Sequence, residues 1–116
     1  MNVKKGKEEC ERVLKDEVFK SRLEKREIWI NGDINNTLIE KLYVNLIDMN
    51  EVAPNENILV MINSYGGDLY EAIVATDIMR SLSSSIVTIA LAEAISAGFI
   101  IFMGGDRRVM HENSWL

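Results

Sequence analysis

Ile58-Leu59-Val60-Met61-Ile62-Asn63-Ser64-Tyr65-Gly66-Gly67-Asp68 is the stretch that decides the fold. Its first five residues are apolar without a break and of strand length. Unbroken rather than alternating apolarity points to a strand covered on both faces, as in a parallel sheet. The next residues are turn formers. Beyond them Leu69, Ile73, Val74, Ile78, Met79 and Leu82 recur at helical spacing, the expected buried side of a helix. A strand, a glycine turn and an amphipathic helix are the first half of a βαβ unit.

The same unit repeats on either side. Upstream, Glu27-Ile28-Trp29-Ile30-Asn31-Gly32 reads as a short strand stopped by a turn. Asp33 or Asn36 is the candidate cap of the next helix. Leu38, Ile39, Leu42, Tyr43, Leu46, Ile47 and Met49 give that helix its apolar face, and it ends near Ala53-Pro54. Downstream, Ile86-Val87-Thr88-Ile89-Ala90-Leu91 is another buried strand. Ser96-Ala97-Gly98 opens a short apolar helix that Gly104-Gly105 closes, and Arg107-Arg108-Val109-Met110 begins one more strand. Strands alternating with helices imply an α/β fold of right-handed βαβ units on a mostly parallel sheet.

Residues 1–26 stand apart as a charge-dense segment before a domain of residues 27–116. Val13, Leu14, Val18, Phe19 and Leu23 recur there at helical spacing. They predict one amphipathic helix with Val13, Leu14 and Val18 shielded.

The chain has 116 residues, enough for one domain with its own core. Lys plus Arg is 13 and Asp plus Glu is 18, a net charge of −5 with no long basic block. That balance argues against nucleic-acid binding, which needs clustered cations. The single cysteine, Cys10, excludes an intramolecular disulfide and a one-chain cysteine zinc cluster, and it fits a reducing, cytoplasmic setting. The N-terminus lacks the apolar run of a secretory signal. The most apolar stretch, Ile86 to Met103, is interrupted by Glu93 and Ser96 and splits into two short elements better than it spans a membrane.

Chemistry has two candidate places, each at the C-terminal end of a buried strand, where α/β sheets bind ligands. At Gly66-Gly67 the backbone can turn sharply and offer its N–H groups to a ligand. A phosphate loop is discounted, since the accompanying Lys and Ser/Thr are missing. An oxyanion hole and a plain turn stay open. The second place is Ser96, which is either a helix cap or a nucleophile whose developing charge the N–H of Ala97 helps stabilise. Two such loops about thirty residues apart can face one site. A serine nucleophile needs a base, normally His oriented by a carboxylate. The only histidine, His111, is a surface residue or that base. With one His and one Cys, a metal site is not expected.

From Arg26 to Leu116 the chain resembles the proteolytic subunit of the ATP-dependent Clp protease, the ClpP family of serine peptidases. Arg26-Glu27-Ile28-Trp29-Ile30-Asn31-Gly32-Asp33-Ile34 is similar to the family's opening strand and turn. Ile62-Asn63-Ser64-Tyr65-Gly66-Gly67-Asp68 is similar to its INSPGG loop, and Ala94-Ile95-Ser96-Ala97-Gly98 to its ASMG nucleophile turn. The resemblance implies a ClpP/crotonase-like spiral of βαβ units and peptide-bond hydrolysis by a Ser-His-Asp triad. It implies no metal and no cofactor, with ATP used only by a partner ATPase that feeds ring-shaped oligomers. Ser96 takes the nucleophile's place, and the N–H groups of Gly67 and Ala97 that of the oxyanion hole, with Gly66 in the substrate loop.

The chain departs from the pattern at Tyr65 for the loop proline, Ile95 for an alanine and Ala97 for the methionine. Asn113-Ser114 match the turn that precedes the family's catalytic His, so that His would lie just beyond Leu116 and the Asp further on. No triad role therefore falls on His111. The expectation is a C-terminally incomplete domain resembling the family's N-terminal part, with Phe99, Ile100, Ile101 and Phe102 left partly bare. Two other functions remain: a non-catalytic ClpP-like protomer that joins rings, and a crotonase-type acyl-CoA enzyme, against which Ser96 argues.

Overall fold

Strand and helix alternate along the chain in a computed structural model that describes residues 3–116. The elements are α1 (Val3–Glu24), β1 (Glu27–Asn31), α2 (Asn36–Val52), β2 (Ile58–Ser64), α3 (Leu69–Ser81), β3 (Ile86–Ala94), α4 (Ala97–Met103) and β4 (Arg107–Met110). The four strands form one sheet in the order β1-β2-β3-β4, every neighbouring pair parallel. The order matches the sequence, so each helix crosses between adjacent strands and all strand ends lie along one edge of the sheet. The α/β, parallel architecture is the one the alternation predicts.

Burial differs from the prediction in three ways. The first is the sheet. Ile28, Ile30, Ile58, Val60, Ile62 and Ala90 are buried and form the core with α2, α3 and α4. The other face is open: Leu59, Met61, Ile89 and Leu91 are only half-buried, and Trp29 and Val109 are exposed. Unbroken apolarity thus marks strands whose second face is apolar but only partly covered, with Val87 the one buried residue among its apolar side chains. Of the α4 residues expected to be partly bare, Phe99 is exposed and Ile100 half-buried, but Ile101 and Phe102 are buried because they pack on the core, so most of the bare apolar surface lies on the sheet.

The second is α3. Met79 is buried and Leu82 packs on the core as the spacing predicts, but Leu69, Ile73 and Val74 are exposed, and Ala72, Ala75 and Thr76 are buried in their place. Both sets repeat at helical spacing. The stripe of small side chains faces inward because it lets the helix approach its neighbours closely. The third is α1. It is helical, but Val13, Leu14 and Val18 are exposed, and only its last turn, through Leu23, packs on the core. A helix of that length spans about 33 Å, more than β1 offers it to lie on. A smaller correction concerns α2, capped by Asn35 and not by Asp33 or Asn36: the Asn35 side chain accepts from Leu38 N–H at 3.0 Å. No helix among the described residues is long and apolar enough to cross a membrane.

One side chain that sequence reading passed over joins three elements. Arg26 enters β1 at a positive φ of 64°. Its guanidinium donates to the carbonyls of Met49 (2.7 Å), Ala53 (3.1 Å), Glu56 (2.9 Å) and Asn57 (3.0 Å), and to Ser84 Oγ (3.2 Å). It adds a second donor to the Met49 and Ala53 carbonyls at the C-terminus of α2, where a cation also complements the helix dipole. It also fixes the turn into β2, since Leu59 N–H donates to the Arg26 carbonyl at 3.0 Å.

Arg26→Lys should destabilise the chain almost as much as Arg26→Ala, on the order of 3 kcal/mol, because one ammonium cannot reproduce a planar fork of donors. Urea midpoints of the two variants check this; a Lys variant close to wild type would contradict it. The bare sheet face should drive self-association at micromolar concentration. Sedimentation of the wild type against Met61→Glu/Ile89→Glu should show the charged variant shifted toward monomer, and a wild type already monomeric would contradict it.

Candidate active site

β2 and β3 end side by side, and the loops that leave them meet. The pairing runs in register from Ile58↔Ile86 to Ile62↔Ala90, then shifts, so that Ser64 pairs with Ala94. The shift is a bulge in β3 that advances its end past Leu91-Ala92-Glu93. Ile95 N–H then donates to the Ser64 carbonyl at 3.0 Å, which sets Ser96 beside the turn after β2.

That turn needs glycine. Gly66 has φ 124° and Gly67 φ 148°, both disfavoured for any residue with a Cβ. Space is equally short. A Cβ on Gly66 would lie 2.9 Å from Ser96 Cβ and 3.3 Å from Ser96 Oγ. A Cβ on Gly67 would collide with the Ile34 carbonyl oxygen and lie 2.8 Å from Ile34 N. Gly66 is therefore packed against Ser96, and Gly67 against Ile34. Ser64, buried, supports the turn by accepting from Gly66 N–H at 3.1 Å through its hydroxyl. The sequence signal for Ser64 is a serine two residues before the turn, the spacing of a side-chain-to-backbone turn.

The direction of the Gly67 N–H is set by its neighbours. Ile34 N–H donates to the Gly66 carbonyl at 2.9 Å, and Asp68 N–H donates to the Ile34 carbonyl at 2.8 Å. Gly67 is bridged in parallel to Ile34 by those two bonds. In a parallel bridge of this kind the central residue's own N–H and C=O point the other way. For Gly67 that is the side away from Ile34. Asp68 caps α3, accepting from Tyr70 N–H (2.9 Å) and Glu71 N–H (3.2 Å).

Ser96 is exposed and has φ 55° and ψ −120°, strained for a residue that is not glycine. Strain of this sort costs roughly 1–3 kcal/mol and persists only where the surroundings impose it. Its hydroxyl makes no capping bond to α4. The cap reading, which would explain a serine at that position, is thus not what the side chain does. Ala97 is fully buried at the start of α4, anchored by Ile101 and Phe102 behind it. The first helical N–H groups have no intrahelical partner. Gly98 N–H is satisfied by the Ile95 carbonyl at 3.0 Å, while that of Ala97 remains unbonded. An exposed hydroxyl thus sits between the turn of Gly66-Gly67 and the unbonded N–H of Ala97.

His111 is not brought to this cluster. It is exposed, and its backbone N–H donates to the Ala90 carbonyl at 3.2 Å. Ala90 lies six residues before Ser96 along β3 and its extension. Past His111 the chain turns at Ser114, whose hydroxyl donates to the Ala90 and Leu91 carbonyls. It then runs alongside β3 again. Trp115 N–H donates to the Ala92 carbonyl, Ala94 N–H to the Trp115 carbonyl, and Trp115 is bridged in parallel to Glu93. Among the described residues no group of three or more His, Cys, Asp and Glu side chains is placed to hold a metal ion.

Comparison with known proteins gives the family. The Clp protease family model matches residues 9–116. ATP-dependent Clp protease proteolytic subunit 2 of Tropheryma whipplei (strain Twist) is 30% identical over 93 residues, 80% of this chain and 52% of that protein. The ATP-dependent Clp protease proteolytic subunit of Deinococcus radiodurans is 24% identical over 91 residues, 78% of this chain and 45% of the relative. The chain thus spans about half the length of the curated relatives it matches. Among solved structures, a ClpP1 N165D mutant from Listeria monocytogenes shares the fold, with a TM-score of 0.77 at 22% identity over 84% of this chain and 57% of that one. A parallel βαβ sheet of matching fold and a family model that takes in nearly the whole chain lead to one conclusion: the chain belongs to the Clp protease family.

Proposed function

We propose that this chain carries the nucleophile and oxyanion-binding half of a ClpP-like serine peptidase site. Ser96 Oγ attacks the carbonyl carbon of a peptide bond, and the N–H groups of Gly67 and Ala97 receive the negative charge that develops on the carbonyl oxygen. Gly66 lines the path of the substrate backbone. The observation that carries this reading is the strained, exposed Ser96, uncommitted as a cap and pressed against Gly66. A capping serine has neither the φ nor the missing bond; a serine held for attack has reason for both.

In this reading the general base is none of the residues that the structure places beside Ser96. The family's catalytic His lies past the Asn-Ser turn that Asn113-Ser114 match, and Trp115 runs parallel to the residues leading into Ser96. His111, whose backbone is tied to Ala90, takes no part. No metal or cofactor is needed for the step, and ATP belongs to a partner ATPase that delivers protein substrates to a ring of subunits. The bare sheet face of Leu59, Met61 and Ile89 supports assembly with further subunits. The exposed, unpaired Cys10 fits the reducing cytoplasm. The second reading, a non-catalytic protomer, is favoured for residues 1–116 alone by the separation of His111 from Ser96.

Labelling by a fluorophosphonate, with Ser96→Ala as control, tests the assignment. Residues 1–116 alone should label at Ser96 on the order of a thousandfold or more slowly than a complete ClpP-type peptidase, because a serine hydroxyl without a base stays protonated. Fast labelling of residues 1–116 would overturn the placement of the base. Labelling that survives Ser96→Ala would overturn that of the nucleophile.

A further inference from the structure

β1 is the end strand of the sheet, and its outer edge lies open in a groove. Leu59 N–H donates to the Arg26 carbonyl at 3.0 Å, and Gly32 N–H donates to the Asn63 carbonyl at 2.9 Å. Those two bonds fix the parity of the ladder: positions 26, 28, 30 and 32 turn their backbone groups toward β2. The N–H and C=O groups of Glu27, Trp29 and Asn31 therefore point outward, where the sheet has no further strand. A groove of about 610 Å³ runs along them between α1 and α2. Residues of both faces of β1 line it, Ile28 and Ile30 from the covered face and Trp29 from the open one. The groove therefore tracks the strand's edge and not one of its faces.

Its walls are apolar and its rim is basic. Phe19 and Leu23 of α1 face Leu38 and Leu42 of α2 across it. Lys15, Lys20 and Lys41 stand on the rim. The acidic residues beside them are Asp16 and Glu27, and Glu27 is held by Arg22 at 3.4 Å. This is a local excess of positive charge in a chain whose net charge is −5.

We propose that this groove binds an extended, acidic segment of a partner protein, which adds a strand to the free edge of β1. The six outward backbone groups supply the ladder, the apolar walls take the segment's alternate side chains, and the lysines pair with its carboxylates. Main-chain pairing gives affinity in such complexes, and side-chain pockets and charge give selectivity. The mode requires an edge strand with unpaired groups and room beside it, and β1 has both. It involves none of the residues around Ser96.

A fluorescent peptide of about nine residues alternating Val and Glu, long enough to cover β1, is the probe. Fluorescence anisotropy with the full 116-residue chain should show saturable binding that weakens as salt is raised. Hydrogen exchange should show the amides of Glu27, Trp29 and Asn31 newly protected in the complex. Lys20→Glu/Lys41→Glu should weaken binding about tenfold or more. The same peptide N-methylated at alternate residues, which keeps its charge and loses its ladder, should not bind, and this arm needs no variant to fold. Equal binding of a Val/Lys peptide, undiminished binding of the N-methylated peptide, or binding without protection of those three amides would each overturn the proposal. So would no binding at all, in which case the lysines serve only to guard the edge against aggregation.

Discussion

The hydrogen bond from Ile95 N–H to the Ser64 carbonyl holds the arrangement together. Parallel pairing brings the ends of β2 and β3 to one edge of the sheet, but a plain ladder would not align their loops. The bulge in β3 after Ala90 shifts the register so that Ser64 meets Ala94. Ser96 then falls against Gly66, close enough that a Cβ there would touch it. Without the bulge, the residue after β3 opposite the glycine turn would be a different one. The register shift is therefore what makes a site of two loops that would otherwise be two separate turns.

The sequence was most informative where a residue type answers a backbone demand. Gly66 and Gly67 stood out as a turn that only glycine makes readily, and the strand–helix alternation set the parallel sheet. It was least informative where two patterns compete for one face. In α3 the large residues Leu69, Ile73 and Val74 repeat as regularly as the small residues Ala72, Ala75 and Thr76. Periodicity alone favours the larger set, and close packing favours the smaller. The same limit explains the sheet: Leu59 and Met61 are as apolar as Ile58 and Val60, yet only the latter are buried. Apolar composition says that a face is to be covered and not what covers it. The bulge in β3 carries no glycine or proline to announce it, so the meeting of the two loops rested on their spacing and on the family resemblance.

Two residues other than glycine have positive φ, Arg26 and Ser96, and they differ in what their side chains do. Arg26 converts its strained backbone into bonds, as its guanidinium reaches four carbonyls and a hydroxyl. Its conformation is explained by the stability it supports at the end of α2. Ser96 has no such return, since its hydroxyl caps nothing and lies exposed. Strain that supports no bond of its own needs another reason, and a hydroxyl held out toward a substrate is one.

The groups assigned to the site divide unevenly along the chain, and the division has a physical logic. In the proposed site the nucleophile and both N–H donors would depend on backbone geometry: a register shift, two glycines and the first turn of a short helix. All of these are local to β2, β3 and their loops, so they form when this part of the sheet forms. A base is different in kind, since it is one side chain that must reach one hydroxyl and can be supplied by any strand that passes nearby. Trp115, paired beside Glu93, shows that such a path runs along the same edge of β3 that leads to Ser96. The preorganised donors are the costly part of an acyl-transfer site to build, because they must be fixed before charge develops. Here the glycine turn and the start of α4 are fixed by packing that involves no base, so the backbone around Ser96 is set even where His111 stands apart from it.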